Sequence, residues 1–196
     1  HPAYTARMMA TLCNISQGRM GLNVVTGWNA PEYEQMDLWP GAAFYESRYE
    51  FASEYLSILN DLWTTGRSNR KSKFWNLNDC YCLPMPDYPI PIVSAGQSPA
   101  GVEFCDQHAD QRLVIGHPKV LDQLALRKKS GLESKYQTYI LLHMIIETTD
   151  EKAKQVGDEI IRKADKVAIA NMISSAQLDS NKGGSSEGVQ ISLDRT

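Results

Sequence analysis

No stretch of this chain stays apolar for the roughly 18 residues that a membrane-spanning helix requires. Positive charge is not in excess either. The 20 Lys and Arg against 23 Asp and Glu give a net charge of −3, which leaves no electrostatic footprint for nucleic acid or for an anionic membrane. Cysteine is sparse: Cys13, Cys80, Cys82 and Cys105. Cys80 and Cys82 form a C-x-C, not the paired C-x-x-C of a zinc site, and so few cysteines in a chain of this size do not make a disulfide scaffold. Reduced thiols and a cytoplasmic protein are therefore expected, and no signal-peptide pattern is visible. His108, His117 and His143 do not group with acids at metal-ligand spacing. The G-x-S-x-G, phosphate-loop and H-E-x-x-H patterns do not occur, so a nucleophile-triad hydrolase has no support.

What is present is ordinary globular material. Apolar residues make up 42% and charged residues 22% of 196 positions, enough for one domain with a sizeable core. The chain opens on His1 rather than Met, which points to a processed product or a piece of a longer protein. Helical spacing covers 2–16, where Met8, Met9, Leu12 and Ile15 form an apolar face and Gly18 offers a stop. A strand is expected at 19–26, a helix at 45–64 and irregular or hairpin structure at 66–89. "PIVSAG" at 91–96 reads as a second strand running into a helix, with Ser98 as N-cap and Pro99 in the first turn. "RLVI" at 112–115 is a third strand, and a helix at 118–130 follows. The apolar run "TYILLHMIIE" at 138–147 is the fourth strand, which makes His143 a core histidine. One long helix follows it. The division is one domain at 1–173, which the resemblance given below makes a partial (β/α) barrel, and a polar, disordered tail at 174–196.

Continuously apolar strands alternating with helices indicate an α/β fold with a parallel sheet covered on both faces. A doubly wound sheet and half of a (β/α)8 barrel both fit the periodicity, and in either one ligands gather at the C-terminal ends of the strands. The first strand delivers Asn23 there, an amide in an otherwise apolar segment, with Glu32 past the following turn. An amide needs several hydrogen-bond partners and an apolar sheet offers few. Either a neighbouring turn satisfies Asn23 or it meets a ligand at the mouth of the sheet. After the second strand, "SAGQSPAG" is a small-residue turn into a helix start. Its backbone N–H groups, the helix dipole and the Ser98 hydroxyl would together favour a phosphate, although such a turn also serves merely as a connection. Arg48 could pair bidentately with a phosphate. The plainer reading of Arg48 and Tyr49 is a solvated arginine and a core tyrosine.

These residues also carry a resemblance. "NVVTGW", "PEYEQM" and "WPG" in 23–41, "ESRYEFASEYLSILNDLW" in 46–63 and "AGQS" with "AG" in 95–101 resemble the bacterial luciferase-like flavin monooxygenases. Within that family the chain resembles the pyrimidine monooxygenases of the uracil-degradation (Rut) pathway. The resemblance implies a TIM barrel of which strands four to seven are present. It also implies non-covalent FMN, reduced by a separate NAD(P)H-dependent flavin reductase, that activates dioxygen for oxidative ring opening of uracil. Asn23, Glu32, Arg48, Tyr49 and Ser98 match the family's FMN contacts, with Asn23 in the catalytic position beside the dioxygen pocket. The same scaffold acting on a sulfone or alkanesulfonate is the alternative. A barrel remnant that binds nothing is an alternative of another class. If four strands are missing, the polypeptide alone is expected to be inactive and prone to associate as a homo-oligomer through its open sheet edges.

Overall fold

The computed structural model describes residues 1–131 and 135–178. The chain runs α1 (Pro2–Ser16), β1 (Leu22–Val24), α2 (Ala30–Glu34), α3 (Ala42–Glu46), α4 (Arg48–Thr64), β2 (Arg67–Ser68) and β3 (Cys80–Tyr81). It continues with β4 (Ile92–Ser94), α5 (Pro99–His108), β5 (Gln111–Ile115), α6 (Pro118–Lys129), β6 (Gln137–Leu141), α7 (Asp150–Lys163) and α8 (Lys166–Gln177). Two compact units divide these elements. One is His1–Gly27, Pro40–Leu113 and Ser134–Tyr139; the other is Trp28–Trp39, Val114–Glu133 and Ile140–Thr196.

In the first unit, α1 begins where the His1 ring nitrogen Nδ1 accepts the Ala3 N–H at 3.2 Å and Pro2 fills the first turn. It ends where Gln17 and Gly18 turn left-handed, at φ 56° and 74°, and Gly18 donates its N–H to the Cys13 carbonyl at 2.9 Å. The buried face differs from the expected one. Ala3, Ala6, Met9, Ala10 and Cys13 are inside, while Met8, Leu12 and Ile15 are exposed. Small side chains win because they let α4 approach closely: Ala3, Ala6 and Ala10 share one core cluster with Ala52, Leu56, Ile58, Leu59 and Leu62. The Trp63 indole N–H also reaches the Ala6 carbonyl at 3.1 Å. The helix expected at 45–64 is two helices, α3 and α4, which meet at Ser47. The 66–89 segment carries the expected hairpin, with β2 antiparallel to β3.

The main sheet has the order β1-β4-β5-β6. β1 runs parallel to β4 with Leu22, Asn23 and Val24 beside Ile92, Val93 and Ser94. β4 runs parallel to β5 with Ser94 beside Arg112. Successive side chains alternate between faces. Leu22, Val24 and Ile92 turn toward the helix core, which puts Asn23 on the other face. β1 is shorter than the expected 19–26 because its pairing with β4 spans only these three residues.

The second unit holds the ends of β5 and β6 with α2, α6, α7 and α8. Here the Gly116 N–H donates to the Leu141 carbonyl at 2.8 Å. β6 stops at that bond. The strand expected to reach 147 does not continue because β5 ends at Ile115 and offers no further partner. Leu142, Met144 and Ile146 are 57%, 73% and 84% exposed, and His143 is exposed with them rather than in a core. The long helix expected after 147 is likewise two. Ala164 is extended, at ψ 136°, and the Asp165 carboxylate accepts the N–H groups of Val167 and Ala168 at 2.9 and 3.1 Å to start α8. Asp165→Ala should cost about 1 kcal/mol of stability through the lost cap, read as a lower urea midpoint at unchanged m-value. α8 runs through Ser174 to Gln177, so the tail expected from 174 begins as helix; its remainder, 179–196, lies outside the described residues. No helix among the described residues is long and apolar enough to cross a membrane. All four cysteines are free thiols, and burial pushes the Cys82 thiol up.

Candidate functional site

β4 ends at Ser94, and the chain turns through Gly96 to Ser98 before entering α5. Ser98 holds an extended backbone, and its Oγ accepts the Gly101 N–H at 3.2 Å, which caps the helix. The side chain is 2% exposed, and its hydroxyl proton is still free to donate. Pro99 has no N–H and that of Gly101 is taken, so the Ala100 N–H is the first-turn donor left over. The turn is tight. A Cβ on Gly96 would stand 2.6 Å from both Cα and the carbonyl carbon of Gly101. Glycine at both positions is what lets strand end and helix start touch.

α4 brings Tyr49 to the same place. The Tyr49 hydroxyl lies 2.7 Å from where a Cβ on Gly101 would stand, and its ring packs on Phe104 of α5 at 5.5 Å. Arg48 precedes it and is 8% exposed. Its guanidinium donates to the Tyr45 carbonyl at 2.8 Å and sits 4.0 Å from the Tyr45 ring centre and 4.8 Å from that of Tyr49. Arg48 is thus buried between aromatic faces instead of solvated. Arg112 joins from β5. It is 4% exposed, and its Nε–H donates to the Gly96 carbonyl at 3.1 Å. Among the described residues no carboxylate forms an ion pair with Arg48 or Arg112. Burying a cation without its counter-charge is expensive. Arg112 lies against the glycine turn itself, and Arg48 reaches it only through the ring of Tyr49.

The five residues singled out from the sequence fall out unevenly. Arg48, Tyr49 and Ser98 gather around this turn. Asn23 lies one strand over, on the sheet face away from the helix core; it is exposed, and among the described residues its amide makes no hydrogen bond. Glu32 belongs to the second unit, exposed in the first turn of α2. Arg112 escaped the sequence reading, because one arginine at the start of an apolar strand reads as a solvated strand end. Its only signal is position: near the start of β5 it stands in register beside Ser94, the last residue of β4.

A cavity of about 410 Å³ opens between Trp63, Arg70, Ile92, His108 and Asp110. Its polar groups serve the fold. The Asp110 carboxylate accepts the Ile92 N–H at 2.8 Å, Arg70 pairs with Asp61 at 2.9 Å, and His108 Nε2 bonds Ser53 Oγ at 2.9 Å. Burial, aided by Lys135, lowers the His108 pKa. Among the described residues no cluster of His, Cys, Asp and Glu could hold a metal ion.

Comparison with known proteins points one way. The profile of the luciferase-like monooxygenases matches residues 1–190. The pyrimidine monooxygenase RutA of Cronobacter sakazakii is 40% identical over 189 residues, which cover 93% of this chain and 56% of that protein. RutA of Klebsiella pneumoniae is 39% identical, with 93% and 52% covered. The chain spans about half the length of the curated relatives it matches. Among solved structures, riboflavin lyase RcaE superposes with a TM-score of 0.75 at 21% identity, over 89% of this chain and 45% of that one. The long-chain alkane monooxygenase LadA gives 0.69 at 20%, over 91% and 46%. The four parallel strands and their helices are accordingly part of a luciferase-like (β/α)8 barrel, and the chain belongs to the luciferase-like monooxygenase family.

Proposed function

We propose that this chain forms the cofactor-phosphate half of an FMN-dependent monooxygenase acting on a pyrimidine such as uracil. One observation carries the reading: Arg112, buried and among the described residues without a carboxylate partner, bonds the Gly96 carbonyl of a glycine turn that feeds a helix N-terminus, while Arg48, buried and likewise unpaired among the described residues, stacks on Tyr49 beside that turn. A phosphate dianion fits that chemistry better than a neutral ligand does. The substrate class rests on the relatives at about 40% identity that carry the name pyrimidine monooxygenase.

In this reading Ser98 donates its hydroxyl proton to the phosphate while keeping the Gly101 N–H as its own donor. Arg48 neutralises the phosphate charge, with the Tyr45 and Tyr49 rings fixing the guanidinium plane. The Tyr49 hydroxyl adds a donor at the helix start. Asn23, on the bare face of the sheet, would offer its amide to the flavin ring and the dioxygen beside it, and Glu32 is proposed as a cofactor contact on the family resemblance alone. Reduced FMN, supplied by a separate NAD(P)H-dependent flavin reductase, contributes the electrons that let one atom of dioxygen enter the substrate while the other leaves as water.

Titrating the full-length protein with FMN tests the site. Ser98→Ala and Arg48→Ala should each weaken binding by about 1–3 kcal/mol through the loss of a charge-assisted contact. Unchanged affinity in both variants would remove the phosphate site. With reductase and dioxygen present, the wild type should consume uracil and not an alkanesulfonate. The reverse preference would reassign the substrate while leaving the cofactor reading in place.

A further inference from the structure

Arg112 has a second property besides its charge. Its Nε–H holds the Gly96 carbonyl at 3.1 Å. Arg112 shares a sheet face with Ser94 and with Val114, which is 1% exposed, so it reaches the turn from the buried side. A trans peptide is planar, with its C=O and N–H on opposite sides. Pulling the Gly96 carbonyl toward Arg112 therefore turns the Gln97 N–H the other way, out of the buried layer. Among the described residues that N–H has no hydrogen-bond partner. Backbone N–H groups oriented in this way are what anion-binding turns are made of.

We propose that Arg112 is a positioning residue for the cofactor phosphate: through the Gly96 carbonyl it aims the Gln97 N–H, and it places a buried positive charge behind the turn. The inference rests on the phosphate reading of this turn. Two observations beyond that reading support it, the bond from Arg112 to the Gly96 carbonyl and, among the described residues, the unbonded N–H of Gln97. Without an anion above it, the burial of Arg112 is uncompensated.

The test compares FMN with riboflavin, which has the same ring system without the phosphate, by titration of the full-length protein. A wild type that binds both equally overturns the phosphate site and this inference with it. If the wild type prefers FMN, Arg112→Met should lower the FMN-to-riboflavin affinity ratio about tenfold or more, with riboflavin affinity unchanged. A general loss of structure would instead weaken both ligands together. Arg112→Lys keeps the charge but not the planar donor, so it should lose roughly threefold of the ratio. Circular dichroism identifies the variants that fold. A wild-type ratio in a folded variant overturns the role of Arg112, and the lysine variant decides alone if the methionine variant does not fold.

Discussion

Leu59→Ala should lower the stability of the chain by about 2–5 kcal/mol, the range for removing a fully buried leucine from a close-packed site. Leu59 has no exposed surface and sits among Leu56, Ile58, Leu62 and the α1 alanines. Those neighbours have little freedom to collapse into the space. The alanines have no side chain to extend, and α1 is already close enough for Trp63 to bond its backbone. Against a total of about 5–15 kcal/mol for a typical domain, a loss of this size is a large share. A urea titration would register it as a lower midpoint. A change below about 1 kcal/mol would mean that α1 can move inward, contrary to the packing described.

Gly96→Ala should have the second largest effect, on stability and on cofactor binding together. The new methyl would stand 2.6 Å from the Gly101 Cα and carbonyl carbon. Both are backbone atoms, so no side-chain rotation relieves the contact, and strand end and helix start must separate. Overpacking of this kind costs about 1–3 kcal/mol, and the separation would also loosen the Ser98 cap and the Arg112 bond to the Gly96 carbonyl. FMN affinity should therefore fall further than in Ser98→Ala. Gly157→Ala is the control: its Cβ would meet Ile145 at an ordinary 3.5 Å, and in mid-helix α7 the change should be neutral or stabilising by up to about 1 kcal/mol. Equal stability in the two variants would show that the turn yields without cost.

Much of this was legible in the sequence where local rules govern. The α5 start was, because Ser98 and Pro99 declare a cap and a first turn whatever surrounds them. The strand–helix alternation likewise pointed to a parallel sheet. What failed depended on partners. "TYILLHMIIE" reads as one buried strand, but a strand lasts only as long as its neighbour, and β5 runs out at Ile115. The apolar face of α1 was misassigned because period alone does not say whether alanines or larger residues face the core, and contact with α4 decides for the alanines. Arg48 was legible as a candidate but not as a buried group, since its burial depends on Tyr45 and Tyr49 closing over it. Arg112 was invisible for a related reason: its value lies in a carbonyl presented by another strand's turn.

The proposed phosphate site also bears on the order in which the molecule assembles. Ser94, Gly96, Ser98, Gly101 and Arg112 lie in one uninterrupted β4–α5–β5 stretch, and of the residues proposed for the phosphate only Arg48 and Tyr49 come from an earlier, separate part of the chain. Closing a short loop costs little entropy, and contacts close in sequence form early. The turn, its cap and the buried charge beneath it can therefore settle as β4 and β5 pair, before distant strands find their places. A newly made chain would carry a formed phosphate cradle while its sheet is still being completed, and capture of FMN at that stage would stabilise the growing structure by mass action. The cofactor would then act as a folding partner before it takes part in any reaction.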